Sequence, residues 1–395
     1  MPATKKNFPR RVQPEYHDDI IYPDAIPFVL VHLACLGAIW TGVTWESVAI
    51  MFSFYFLRMW AITAGFHRYF SHKTFQTSRV AQFILAFLGQ CAAQKGTIWW
   101  AAQHRRHHKY SDMPEDIHSP AQHGFFFSHV GWIFSKKRGK ADYSRCKDLT
   151  KYPELVWLDR FQNLPALFMA LAALWIGGWP GLTVGFFWST VLLYHATFCI
   201  NSLAHVHGKQ RYVTGDDSRN NWWLALMTMG EGWHNNHHYY QSSTAQGFRW
   251  YEVDFTYYVL KVLSWTGVVW GLRKPPAHVV AGERPLPSVI IDKVAHDLAA
   301  TFSVERISGQ IAEAWQHKPT LKDLRQRASE AHKQASEYLA EIHLPDLPQF
   351  PSLEELRRRA EERFAYTPSM DEIAERAYGI LLNKVSNHLL RQQPA

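Results

Sequence analysis

The chain has 395 residues, long enough for more than one domain, and a formal charge of +8. A basic balance suits nucleic acid, anionic lipid or an anionic ligand, but no zinc-finger spacing or RNA-binding signature is present, which argues against nucleic acid. Cys35, Cys91, Cys146 and Cys199 form no CxxC pair, which argues against a disulfide framework and fits a reducing, cytoplasmic face.

Residues 1–25 form a basic N-terminal segment; no apolar core follows Arg11 at once, so no cleavable signal is expected. Four apolar runs follow that suit transmembrane helices: 26–43, 47–66 with Arg58 inside it, 164–180 and 182–204. The last two are expected to join through a tight Trp179-Pro180-Gly181 turn. Lys5, Lys6, Arg10 and Arg11 precede the first run. Arg105, Arg106, Lys109, Lys136, Lys137, Arg138 and Lys140 lie between the second and third. Positive residues mark the cytoplasmic side, so four spans place both termini there. Residues 80–93 are too short to cross a bilayer and read as an interfacial or buried helix. Residues 255–272 contain Lys261 and read as a membrane-facing cytoplasmic helix. The membrane domain is taken as 26–284. From 285 to 395 the chain is charged, with LEELRRRAEERF (353–364) at helical period and Pro345, Pro348 and Pro351 interrupting it, which predicts a helical appendage. Heavy aromatic use, 15% of residues with 17 Trp, suits membrane–water interfaces.

Of 22 histidines, nine fall in four elements: His67 and His72 (HRYFSH), His104, His107 and His108 (HRRHH), His205 (NSLAH), and His234, His237 and His238 (HNNHH). Positions i, i+3 and i+4 share a helix face, so the second and last clusters each aim three imidazoles at one place. His67 and His72 are five apart and miss a common α-helical face; His67 is expected to end the second span and His72 to lie past a break. All the clusters sit at cytoplasmic ends of apolar segments. Nine imidazoles exceed what one ion takes and suit two ions with four or five nitrogens each. Asn201 can complete the poorer site, directly or through water. No HExxH is present for a zinc protease, nor the glutamate set of ferritin-like bundles. Placement at a membrane implies an apolar substrate. Removing hydrogen from an unactivated methylene needs a strong oxidant, which two irons with O2 can supply.

HRYFSH, HRRHHKYSD, NSLAH and GEGWHNNHH resemble the histidine boxes of the acyl-CoA (stearoyl-CoA type) Δ9 desaturases, as do GFFFSHVGW (124–132) and FRWYEVDFT (248–256). The likeness runs from about residue 26 to 275. It implies an all-α integral membrane protein with four transmembrane helices, a cytosolic helical cap holding a di-iron centre, and a helical C-terminal tail outside the likeness. It also implies metal ligands His67, His72, His104, His107, His108, His205, His234, His237 and His238, with Asn201 through water. Gln94, Trp100 and Thr197 match positions that bend the acyl tunnel, with Phe198 where the family has Trp; Tyr55 and Met59 are candidates for its closed end. The animal enzymes carry an Arg-Asp pair for CoA just before the second box, and this chain has Ala102-Gln103. The carrier is therefore acyl-CoA or, alternatively, a phospholipid, and Lys136, Lys137, Arg138 and Lys140 can meet phosphates or membrane charge. With no HPGG haem motif, electrons are expected from a separate donor such as a ferredoxin, cytochrome b5 or flavin reductase. The features together suit a bacterial inner-membrane enzyme. His118, His123 and His129 are expected to be structural or to support the ligands, and Glu231 and Asp254 to hydrogen-bond ligand imidazoles. The same boxes also suit a membrane hydroxylase or alkane monooxygenase. A metal transporter would place polar ligands near mid-membrane, whereas these cluster at span ends.

Overall fold

Apolar composition sets the first half of the chain. The structure is a computed structural model and describes residues 25–135, 141–316 and 350–392; the basic loop 136–140, Pro345 and Pro348 lie outside these. Two helices are long and apolar enough to cross a membrane, Trp45–Ser71 and Leu164–His205, and a shorter apolar helix runs Ile26–Thr41. Thr44 starts the second helix with a reciprocal cap. Its hydroxyl accepts from the Ser47 N–H at 3.2 Å, and its own N–H donates to Ser47 Oγ at 3.0 Å. Phe52, Phe56, Leu167, Phe168, Leu171 and Trp175 project outward unburied along these helices, which a lipid environment tolerates and water does not.

Arg58 inside this apolar helix is fully buried. Its guanidinium donates to Thr190 Oγ1 at 2.7 Å, to Ser189 Oγ and to the Phe54 carbonyl at 3.0 Å, and lies 5.2 Å from the Phe186 ring centroid. Hydroxyls, a carbonyl and a π face thus replace water around the charge.

The Leu164–His205 run is not straight. Gly178 has φ 60° and ψ −153°, a region open essentially to glycine. A Cβ added at Gly181 would lie 2.3 Å from the Ala173 carbonyl oxygen. Residues eight apart in a straight helix are separated by about 12 Å along its axis, so the chain doubles back. The reversal is at Gly178, one residue before the turn expected at Trp179-Pro180-Gly181. Pro180 instead sits in the first turn of the returning helix, where its missing N–H costs nothing.

The first histidine box departs from expectation more instructively. No break separates His67 from His72. The helix continues from Ala61 to Ser71 as a π-helix, and the His72 N–H donates to the His67 carbonyl at 3.2 Å. An i→i+5 ladder stacks residues five apart, so both imidazoles share a face that an α-helix denies them.

Helix Arg79–Gln90 packs on this π-helix: a Cβ on Gly89 would strike the Phe66 ring at 2.4 Å. The segment expected as one helix over 255–272 divides in two. Its helix covers Phe255–Trp265, Gly267 takes φ 75°, and Val269–Trp270 pairs antiparallel with Gln76–Thr77. Thr266-Gly267 ends the helix because the left-handed glycine cannot continue it.

Two compact units are present, Met1–Ala281 and Gly282–Ala395. In the second, helices Ser288–Ala299, Val304–Gln316, Leu353–Arg363 and Met370–Gln392 bury Ile291, Leu298, Leu356, Ile373 and Leu381. The run expected to be helical at 353–364 is so, with the Ser352 hydroxyl accepting from the Glu355 N–H at 3.1 Å.

Candidate metal centre and cavity

Two of the histidine boxes are held by hydrogen bonds to distant parts of the chain. The second lies on helix Thr97–Tyr110, whose first turn is capped from a distance: Asp159 Oδ1 accepts from the Ile98 and Trp99 N–H groups at 2.8 and 3.1 Å. The third lies on the short helix His234–Tyr239. The two asparagines between its histidines anchor it. Asn235 Oδ1 accepts from the Arg211 and Tyr212 N–H groups at 2.7 and 2.8 Å, and Asn236 Nδ2 donates to Glu252 Oε2 at 2.9 Å. His205 ends the returning helix.

The nine histidines assemble into two groups. His67, His72, His104, His108 and His237 bring one nitrogen each within 4.8 Å of one another, and His107, His205, His234 and His238 do the same. Within the first, Nε2 atoms meet at 3.0 Å (His67–His237), 2.8 Å (His72–His104), 3.0 Å (His104–His108) and 2.9 Å (His108–His237). In the second, His205 and His234 Nε2 are 3.1 Å apart. Where the far nitrogens carry the protons, these are lone pairs facing lone pairs, which repel unless a cation lies between them. Imidazole nitrogens hold divalent ions at about 2.0–2.1 Å, so two at right angles on one ion stand about 3 Å apart. The spacing and the donor set therefore fit two metal ions. Among the described residues, the buried His238 Nε2 meets no hydrogen-bond partner, an unmatched lone pair of the same kind.

Burial, then repulsion from neighbouring imidazolium charge, holds His72, His104, His108, His234 and His237 well below the ordinary histidine range. These rings are neutral and their lone pairs free for a metal. Carboxylates fix the tautomers of four others. His205 Nδ1–H donates to Asp112 at 2.9 Å, His107 to Asp116 at 3.0 Å, His238 to Asp216 at 2.7 Å, and His67 to Glu231. Burial raises the Asp112 pKa, but the His205 charge and hydrogen bond outweigh it and hold the carboxyl at about 2. Glu231 behaves as the sequence suggests. Asp254 does not: it pairs with Arg68 at 2.9 Å and caps the helix at Phe255 through the Tyr257 N–H at 3.0 Å. Arg68, buried, also meets Glu231 at 3.1 Å. Sequence reasoning missed Asp112, Asp116 and Asp216. Their signal was the acid four and eight residues after the second box; Asp216 had none.

Beside the two imidazole groups lies a cavity of about 250 Å³. Its wall includes His104, Trp100, Gln94, Thr197, Phe198 and Asn201, so the expected bend residues meet there. Gln94 Nε2 donates to Thr197 Oγ1 at 2.8 Å, and Trp100 stacks on His104 at 4.9 Å between centroids. Tyr55 and Met59 are not on this wall. Tyr55 donates to the Met227 carbonyl at 2.8 Å, and Met59 is fully buried in the packed interior. His118 lines the cavity with its ring 4.7 Å from His107; His123 bonds the Asp116 carbonyl, and His129 joins His195 and Ser202 at 3.0 Å each.

A family profile described as fatty acid desaturase matches residues 43–269, more than half of the chain. The chain is 37% identical over 265 residues to the sn-1 stearoyl-lipid 9-desaturase of Synechocystis sp., covering 65% of this chain and 81% of that protein. It is 37% identical over 235 residues to the chloroplastic palmitoyl-monogalactosyldiacylglycerol delta-7 desaturase of Arabidopsis thaliana (58% and 63%). It is 34% identical over 249 residues to an acyl-CoA 5-desaturase of Anemone leveillei (62% and 77%). The chain belongs to the fatty acid desaturase family and is a fatty acyl oxidoreductase.

Proposed function

We propose that this desaturase places a cis double bond, at Δ9, in a long saturated acyl chain carried on a membrane glycerolipid, using two irons and O2. The observation that carries the reading is the convergence of nine imidazoles in two groups beside an aromatic-walled cavity. The overall change is CH2–CH2 + O2 + 2 e⁻ + 2 H⁺ → CH=CH + 2 H2O, so a separate one-electron donor, a ferredoxin, cytochrome b5 or flavin reductase, is required. Bound iron supplies the activation of O2 that hydrogen removal from a methylene demands.

The chain's own residues do the rest. Phe28, Trp132, Tyr194 and Phe198 give the acyl chain an apolar wall and exclude water. The Gln94–Thr197 hydrogen bond and Trp100 set where the acyl chain passes His104. Gln103, Gln162 and Asn163 line the same cavity with neutral amides, which suit ester groups, and lipid-linked chains are the substrates named for two of the relatives above. The metal ligands would be His67, His72, His104, His108 and His237 for one ion and His107, His205, His234 and His238 for the other, with Asn201 at the second. Helix Ile26–Thr41, helix Trp45–Ser71 and the two limbs folded at Gly178 would make four spans, with both termini cytoplasmic.

The test is expression in a membrane host lacking Δ9 desaturation, with fatty acids analysed by mass spectrometry that locates double bonds. New Δ9 monounsaturated chains, absent with His237→Ala, are expected. Membranes supplied with stearoyl-CoA or with distearoyl glycerolipid then separate the carriers; desaturation of the CoA ester alone would reject the glycerolipid.

A further inference from the structure

The two imidazole groups differ in what stands behind them. Asp112, Asp116 and Asp216 each take an Nδ1–H from the four-imidazole group, and their side chains are 4%, 0% and 7% exposed. Among the described residues, Glu231 is the carboxylate that reaches the five-imidazole group, and Arg68 stands against it at 3.1 Å. An imidazole that gives its Nδ1–H to a carboxylate is more basic at Nε2 and fixed in orientation. A negative charge behind the ring also attracts a cation in front of it, more strongly where water is excluded.

Asp112 is the hub of this backing. Its Oδ2 accepts from His205 and from the Asp217 N–H at 2.7 Å, and its Oδ1 from the Ser119 hydroxyl at 2.6 Å. It therefore ties the loop after the second box to the end of the returning helix and to the loop that carries Asp216. Its φ is 56°, in the left-handed region that aspartate enters more readily than most non-glycine residues.

We infer that the two metal positions are unequal: the four-imidazole position, backed by three aspartates, holds its ion more tightly, and Asp112 is the positioning residue at the hub of that backing. This rests on the di-iron reading above. The full-length protein loaded with 57Fe is examined by Mössbauer spectroscopy and by stepwise chelation with EDTA. Two phases of iron release are expected, the second from the four-imidazole group. Asp112→Asn weakens that second iron about 10–100-fold, the range for lost partners of ligand histidines, and shifts one quadrupole doublet. Asp216→Asn, which leaves the Asp112 hub in place, shifts the same doublet and guards against misfolding of the first variant. Glu231→Gln shifts the other doublet and hastens the early phase. Single-phase release from the unaltered protein, or variants that disturb both doublets alike, overturns the inference and leaves the di-iron reading standing. Fewer than two irons per chain overturns both.

Discussion

The five-imidazole and four-imidazole groups share two boxes, HRRHH and HNNHH, the first adding His67 and His72 and the second His205, and they stand on different supports. The first leans on the π-helical end of a long apolar helix and on one carboxylate that Arg68 partly neutralises. The second leans on three enclosed aspartates carried by loops. Two positions with like ligands can thus differ in the charge behind the rings and in the rigidity of the backbone beneath them. Ligand count alone describes neither.

The largest expected effect removes a shared element. His237 faces both His67 and His108, so His237→Ala abolishes double-bond formation and empties the five-imidazole position first, as metal analysis of the purified protein will show. Arg68→Leu strips the cation from buried Glu231 and Asp254. An uncompensated buried charge costs about 3–5 kcal/mol, read as a fall in thermal stability, with the five-imidazole group affected before its partner. Asp116→Asn leaves His107 without its charged partner and weakens the four-imidazole position about 10–100-fold, measured by competition with a chelator. Gly178→Ala lies away from both groups. It forces a side chain into a glycine-only conformation at about 1–3 kcal/mol, so stability falls while the ratio of the two metal affinities stays the same.

What the sequence disclosed follows the geometry each residue type declares. Spacings of three and four announce one face of an α-helix, so the second and third boxes were legible as converging sets. His72 was not, because nothing in HRYFSH says that the hydrogen-bond ladder shifts to i→i+5. The reversal between the last two apolar runs was read at Trp179-Pro180-Gly181, but only the backbone decides which residue turns; it is Gly178. Arg58 was legible only as a charge inside an apolar run, because the hydroxyls of Ser189 and Thr190 that satisfy it are far away in the chain. The same distance hid Asp216 from His238. Local periodicity is written in the sequence; partnership across loops is written in the fold.

The central claim, hydrogen removal without oxygen insertion, is tested most directly with 18O2. Membranes containing the protein, a reducing donor system and a saturated acyl lipid are incubated under 18O2, and the acyl products are weighed by mass spectrometry. The account predicts a monounsaturated chain two hydrogens lighter, free of 18O, with the label in water. A hydroxylated chain carrying 18O would contradict it and assign the site to a hydroxylase.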